Sequence, residues 1–220
     1  DPESLAVWAN GMRKRHFPNP EPNSFYTGNT NRHPQAGLLQ DYYAWTWGDA
    51  LFVTLDPFWF TKKGPRGQGN GWEHSLGAEQ YLWLKRTLEG SRAKFKFVFI
   101  HHLVGGVDQN RGGSEAAPLL EWGGKNRDGS DGFAEHRPGW AAPIHQLLVR
   151  NHVSAVFHGH DHLYAKQDLD GVVYQECPQP GDPRGSTRSA TEYGYTNGVI
   201  LGSSGHLRVA VSGDAAKVDY

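Results

Sequence analysis

Histidine is the side chain most often used to hold a transition metal at neutral pH, and two groups of the 12 histidines stand apart because of what precedes them. His101-His102 follows directly on the apolar run at 95–100, and His158-Gly159-His160-Asp161-His162 follows directly on the run at 153–157. Apolar runs of that length, rich in Val, Ile and Phe, are the mark of buried strands. Both groups are therefore expected at strand ends. His160 and His162, two apart, project from the same side of an extended chain, and Gly159 lets the backbone turn sharply or approach a ligand closely. Rigid strand ends can hold imidazole nitrogens at the roughly 2.0–2.1 Å that an ion such as Zn²⁺ requires. Each motif alone also fits structural or solvated histidines. Two such groups, each abutting a buried strand, point to metal ligation.

The elements that must position these histidines alternate in type. The aromatic stretch 42–47 and the run 51–55, joined by the tight turn Gly48-Asp49, predict a β-hairpin. Ser75 is placed to cap a helix with Glu79 in its first turn, Tyr81, Leu84 and Leu88 at helical spacing, and Gly90 at its end. A second helix starts at Pro143, presents Ile144, Leu147 and Leu148, and stops near Asn151. Further strands are expected at 172–176, 198–201 and 207–211. Between them lie a basic, glycine-rich loop from Lys62 to Gly71, a long polar loop at 103–139 with the pairs Gly105-Gly106, Gly112-Gly113 and Gly123-Gly124, and a Pro/Gly/Ser loop at 178–189. Residues 1–40 read as turns with one short helix near 5–15, and 41–220 as the α/β body of a single domain. Strands alternating with helices, plus antiparallel hairpins, give an α/β fold on a mixed sheet. In such sheets ligands gather outside the carboxyl ends of the strands. That is where both histidine groups fall.

Composition narrows the partners. Lys+Arg 22 against Asp+Glu 23 leaves a net charge of -1, so nothing pulls the chain electrostatically toward nucleic acid or an acidic membrane. No apolar run reaches the length of a membrane span. Asp1-Pro2-Glu3-Ser4 lacks the basic and apolar regions of a signal peptide. A lone cysteine, Cys177, excludes an intrachain disulfide and leaves the compartment open.

Gly159-His160-Asp161-His162 matches the G-H-x-H element that closes the signature of the calcineurin-like metallophosphoesterases, and Ile100-His101-His102 resembles the lone-histidine element before it. Tyr43 through Asp56 resembles the family's central hairpin, and Glu79-Gln80-Tyr81-Leu82-Trp83-Leu84 resembles its following helix. The resemblance spans residues 40–210 and leans toward the purple-acid-phosphatase-like branch. It implies an αββα sandwich and hydrolysis of a small phosphoester by a metal-activated water. In the family pattern two ions, drawn from Zn, Mn or Fe, lie about 3.5–4 Å apart. His101 and His160 would bind one and His162 the other. His102 would act at the rim near the phosphate as a catalytic residue; the alternative is a histidine behind the ligands or merely exposed. Members of this branch are often exported.

The upstream elements of that signature are missing. No D-x-H, bridging G-D-x-x-D or G-N-H-D/E precedes His101, Gly48-Asp49 belongs to the hairpin turn, and Asn29 and His33 lack the preceding strand and spacing to substitute. The chain reads as beginning where the first half of such a site ends, whether as a piece of a longer enzyme or as a truncation. The fold is thus expected to be incomplete on its N-terminal side, leaving sheet surface that a second copy can cover. Three histidines alone suit one ion with an open water position, so the expected occupancy runs from the family's two ions to one or none. The alternative function is a promiscuous ester hydrolase or a non-catalytic binding module.

The remaining candidates have plainer readings. Asp56 is a strand-end turn residue, and Asp161 points away from the ligands. His74, His136, His145 and His152 read as solvated. Trp45, Trp47 and Trp83 are expected in the core, while Trp59, Trp72 and Trp122 sit in loops where a substrate pocket could use them. Gly202-Ser203-Ser204-Gly205-His206 lacks the G-x-S-x-G elbow that a serine hydrolase of that type needs.

Overall fold

A computed structural model describes residues 5–62, 70–105, 111–181, 186–202 and 204–220. The segment Asp1-Pro2-Glu3-Ser4, most of the basic glycine-rich loop (63–69), Gly106, part of the Pro/Gly/Ser loop (182–185) and Ser203 lie outside the described residues.

In chain order the elements are α1 (Leu5–His16), β1 (Thr27–Gly28), β2 (Arg32–His33), β3 (Gly37–Leu38), β4 (Tyr43–Trp47), β5 (Ala50–Thr54), α2 (Ala78–Gly90), β6 (Phe95–Phe99), α3 (Leu120–Gly123), α4 (Phe133–His136), α5 (Ile144–Arg150), β7 (Ala155–His158), β8 (Tyr164–Leu169), β9 (Val172–Glu176), α6 (Arg188–Glu192), β10 (Val199–Leu201), β11 (Arg208–Val211) and β12 (Ala216–Asp219). Eight strands form one mixed sheet in the order β1-β4-β5-β6-β7-β9-β8-β10. Its centre, β5-β6-β7-β9, is parallel, and antiparallel strands flank it on both sides. Helices α2 and α5 occupy the crossovers β5-to-β6 and β6-to-β7, as parallel neighbours require.

The parallel strands are buried on both faces, which is why they read as unbroken apolar runs. Leu51, Val53, Val98 and Val156 point to one face, against Tyr81, Leu84 and Leu88 of α2 and Ile144, Leu147 and Leu148 of α5. On the other face Ala50, Phe97, Ala155 and Phe157 pack with Phe52, Phe99 and Val173, with Leu207 just ahead of β11, and with Ala216 of the β11–β12 ribbon. The layers are therefore helices, large sheet and ribbon, and among the described residues the ribbon is what stands for a second sheet. Lys96 interrupts the pattern on β6. It is buried, and its Nζ donates to the carbonyl of Asn151 (2.8 Å) and reaches that of Leu88 (3.5 Å), placing one cation at the carboxyl ends of both helices.

Three expectations need correction. Ser75 does not cap α2; Gly77 is its N-cap, at φ 77, and the Ser75 hydroxyl accepts the Gly77 N–H instead. The stretch 103–139 is not simply polar loop, because Leu103, Val104, Ala117, Leu120 and Trp122 in it are buried in or against the helix-side core. Glycines at close spacing hid that pattern. Strands β8 and β12 were not expected, since their sequences, YAKQDL and AKVD, carry too many polar residues to stand out.

Candidate metal centre

Strands β6 and β7 are parallel neighbours with Phe99 opposite Phe157, so the chains that leave them emerge side by side. Two backbone bonds continue the pairing past the strands: Ile100 N–H donates to Phe157 C=O at 3.0 Å, and Gly159 N–H donates to His101 C=O at 2.9 Å. The outcome is that His101 Nε2 and His160 Nδ1, 59 residues apart in sequence, lie 3.2 Å from each other. Two nitrogens bound to one tetrahedral ion at about 2.05 Å sit about 3.3 Å apart, so this spacing suits a shared ion. His102 completes the group: one ligand atom from each of His101, His102 and His160 lies within 4.8 Å of the others.

His102 is 3% exposed, and neither of its ring nitrogens has a hydrogen-bond partner. Leaving a buried polar group unpaired costs about 1–3 kcal/mol, and a metal ion is a partner that removes the cost. Burial, reinforced by His101, His160 and His74, pushes the His102 pKa down to about 3. His101 is lowered as well, by burial first and then by His160 and His162. Both are thereby held as neutral imidazoles, the form that ligates. Phe58 packs its ring against both histidines, at 5.5 and 5.2 Å. Thr54, Leu55, Phe99, Ile100, His101 and Gly159 line a cavity of about 340 Å³ at the carboxyl ends of β5, β6 and β7.

The chain through 158–162 is not extended. His160 has φ 87 and His162 φ 58, both in the left-handed region that non-glycine residues seldom enter. Strand alternation therefore does not govern the two side chains. His162 is exposed and stands outside the group of three, although close enough for its charge to depress His101.

No protein-family model matches the chain, and no curated protein matches it. Among solved structures it is similar to the purple acid phosphatase PPD1 isolated from yellow lupin (Lupinus luteus) seeds, at 16% identity and TM-score 0.31, over 57% of this chain and 17% of that one. It is also similar to GAP50, the anchor in the inner membrane complex of Plasmodium, at 12% identity and TM-score 0.33, over 62% of this chain and 36% of the other. The match thus spans about a sixth and about a third of those proteins. Both likenesses are distant, and the case for a metal site rests on the side chains themselves.

Other expected residues fall as follows. Asp56 is a turn residue, accepting the N–H groups of Phe58 and Trp59. His102 is buried rather than exposed. His145 is not solvated: α5 turns it inward, where Nδ1 meets the Tyr174 hydroxyl at 2.8 Å and Nε2 meets Asp170 at 3.0 Å. Trp122 is fully buried and donates to the same hydroxyl, so it lines no pocket. Trp47, at the hairpin tip, is 72% exposed rather than core. Trp72 does line a cavity, of about 440 Å³, with Phe60, Arg137 and Trp140. Asp161 does point away from the ligands, but into the interior, where it accepts from Gly112 N–H, Arg111 and the Tyr195 hydroxyl. Glu176 and Tyr195 escaped the sequence reading. Glu176 closes β9 as its last residue, an acid at the carboxyl end of a buried strand, which was the signal available for the first.

Proposed function

We propose that this chain contributes part of the centre of a metal-dependent phosphoester hydrolase of the calcineurin-like type, with His101 and His160 as ligands of one ion, His102 beside them, and His162 at the position the family pattern gives to a second ion. The reading is carried by the 3.2 Å approach of His101 Nε2 to His160 Nδ1. It is supported by the unpartnered ring nitrogens of His102 and by the match of Gly159-His160-Asp161-His162 to the family's closing element. A bound ion would supply Lewis acidity and a water ionised near neutral pH. The residues' own part is to hold neutral imidazoles in fixed positions and to keep the floor of the site apolar through Ile100, Phe99 and Leu55. His102, wedged between Phe58 and the other histidines, either donates a nitrogen to the same ion or orients the phosphate.

A single ion per chain is favoured over two by one observation: His101, His102 and His160 form the only group of three suitable donors among the described residues, and no carboxylate belongs to it. All-imidazole donors suit Zn, and also Fe. Elemental analysis of the chain after incubation with Zn²⁺, Mn²⁺ or Fe, with hydrolysis of an activated aryl phosphodiester, decides the matter. One ion, lost together with turnover in His160→Ala, supports the reading; undiminished turnover in that variant defeats it.

A further inference from the structure

A strained turn carrying metal ligands keeps its shape only where its surroundings over-determine it. The turn at 159–162 has such surroundings, and they converge on one side chain. Glu176, fully buried at the end of β9, lies opposite His158 in the β7–β9 register. Its Oε2 meets His158 Nδ1 at 2.7 Å, and its Oε1 accepts the Asp161 N–H at 3.0 Å. One carboxylate therefore grips the residues on either side of Gly159-His160. A backbone bond from Cys177 N–H to His158 C=O (2.6 Å) fixes β9 to the same spot. Asp161 is gripped in turn: its Oδ2 accepts Gly112 N–H (2.8 Å) and the Tyr195 hydroxyl (2.8 Å), and its Oδ1 faces Arg111 at 3.3 Å. Tyr195 also reaches Glu176 Oε2 at 3.4 Å, which closes the network, and Arg111 stacks on Tyr193 at 3.9 Å.

We propose that Glu176 is the positioning residue of the histidine centre, acting through His158 and Asp161, with Tyr195 as the brace that ties the two acids together. It touches neither an ion nor a substrate. Its work is to fix the left-handed conformation of His160, and with it the separation from His101. The proposal rests on the metal-site reading for its functional consequence, but its structural content does not need a metal. Partners of this kind behind metal ligands are typically worth 10–100-fold in affinity.

The test uses Glu176→Gln and Tyr195→Phe in the full chain. Glutamine keeps an acceptor for the Asp161 N–H but turns an amide group on His158; phenylalanine removes only the brace. Three quantities are read: the Kd for Zn²⁺ by calorimetry, the visible absorption of the Co²⁺-loaded protein, and amide exchange at 159–162 without metal. The expected result is a 10–100-fold weaker Kd, an altered Co²⁺ spectrum and faster exchange confined to 159–162, with the larger change in Glu176→Gln. Folded variants that keep the parental Kd and spectrum overturn the proposal. Should the parent protein itself bind no metal, the metal-site reading fails, and exchange decides the clamp alone: acceleration at 159–162 sustains it and unchanged exchange overturns it. If Glu176→Gln does not fold, Tyr195→Phe carries the same three readouts.

Discussion

At the scale of the residue, the centre is a set of side chains held in forms they would not choose in water. His160 and His162 occupy backbone conformations that cost a non-glycine residue about 1–2 kcal/mol each. His160→Gly and His160→Ala both delete the ligand, but only glycine relieves the turn. The glycine variant is expected to be more stable than the alanine variant by about 1 kcal/mol in metal-free urea unfolding; equal stabilities would show that the turn is not strained. Asp56 offers a second case. Burial raises its pKa from 3.8 to about 6. A carboxyl whose folded value is raised adds stability that is fully present below its unfolded pKa and is lost as pH climbs through the folded one. The protein should therefore weaken between about pH 4 and pH 6–7. Asp56→Asn retains an acceptor for the Phe58 N–H, so it should flatten that decline and gain up to about 3 kcal/mol at pH 7.5. A pH series of unfolding curves for the two proteins measures it.

At the scale of the element, periodicity made most of the frame legible. Strands β5, β6 and β7 announce themselves as apolar runs, α2 and α5 as spaced leucines, and the histidine groups fall at strand ends as open α/β sheets require. What was not legible depended on tertiary neighbours. Nothing local says that Glu121 will take the Leu76 N–H (2.7 Å), or that α2 will start from Gly77 and not from Ser75. Nothing local says that the chain after β7 bends into left-handed turns, because the acid that enforces the bend lies on another strand. Polar β8 became a strand because β9 and β10 pair with it on either side. Lys96 shows an element-scale device of the same kind: its charge serves the carboxyl ends of two helices at once. Lys96→Met keeps the stem and loses those bonds, and is expected to cost about 1–3 kcal/mol in urea unfolding. A loss below about 0.5 kcal/mol would mean that the helix ends are satisfied without it.

At the scale of the whole molecule, metal and fold should be linked. An ion that binds only the folded chain adds about 2.7 kcal/mol at a free concentration of 100 Kd. For a protein of this length that corresponds to a rise in Tm of about 5–10 °C, reversed by a chelator and absent in His160→Ala; a Tm indifferent to Zn²⁺ would contradict the proposed centre. Trp47, at the end of β4, and Phe25 beside it are exposed aromatic residues, and self-association through that surface is a proposal that sedimentation at rising concentration tests directly. The bond from Gly159 N–H to His101 C=O has a consequence for redesign. Both of its atoms belong to the main chain, so no exchange of side chains at His101, His102 or His160 removes it. The two loops behave as a socket whose pins are replaceable. Thiolate or carboxylate donors can be installed one at a time, and the metal preference of the proposed centre retuned, while the distance between the loops stays where the sheet has set it.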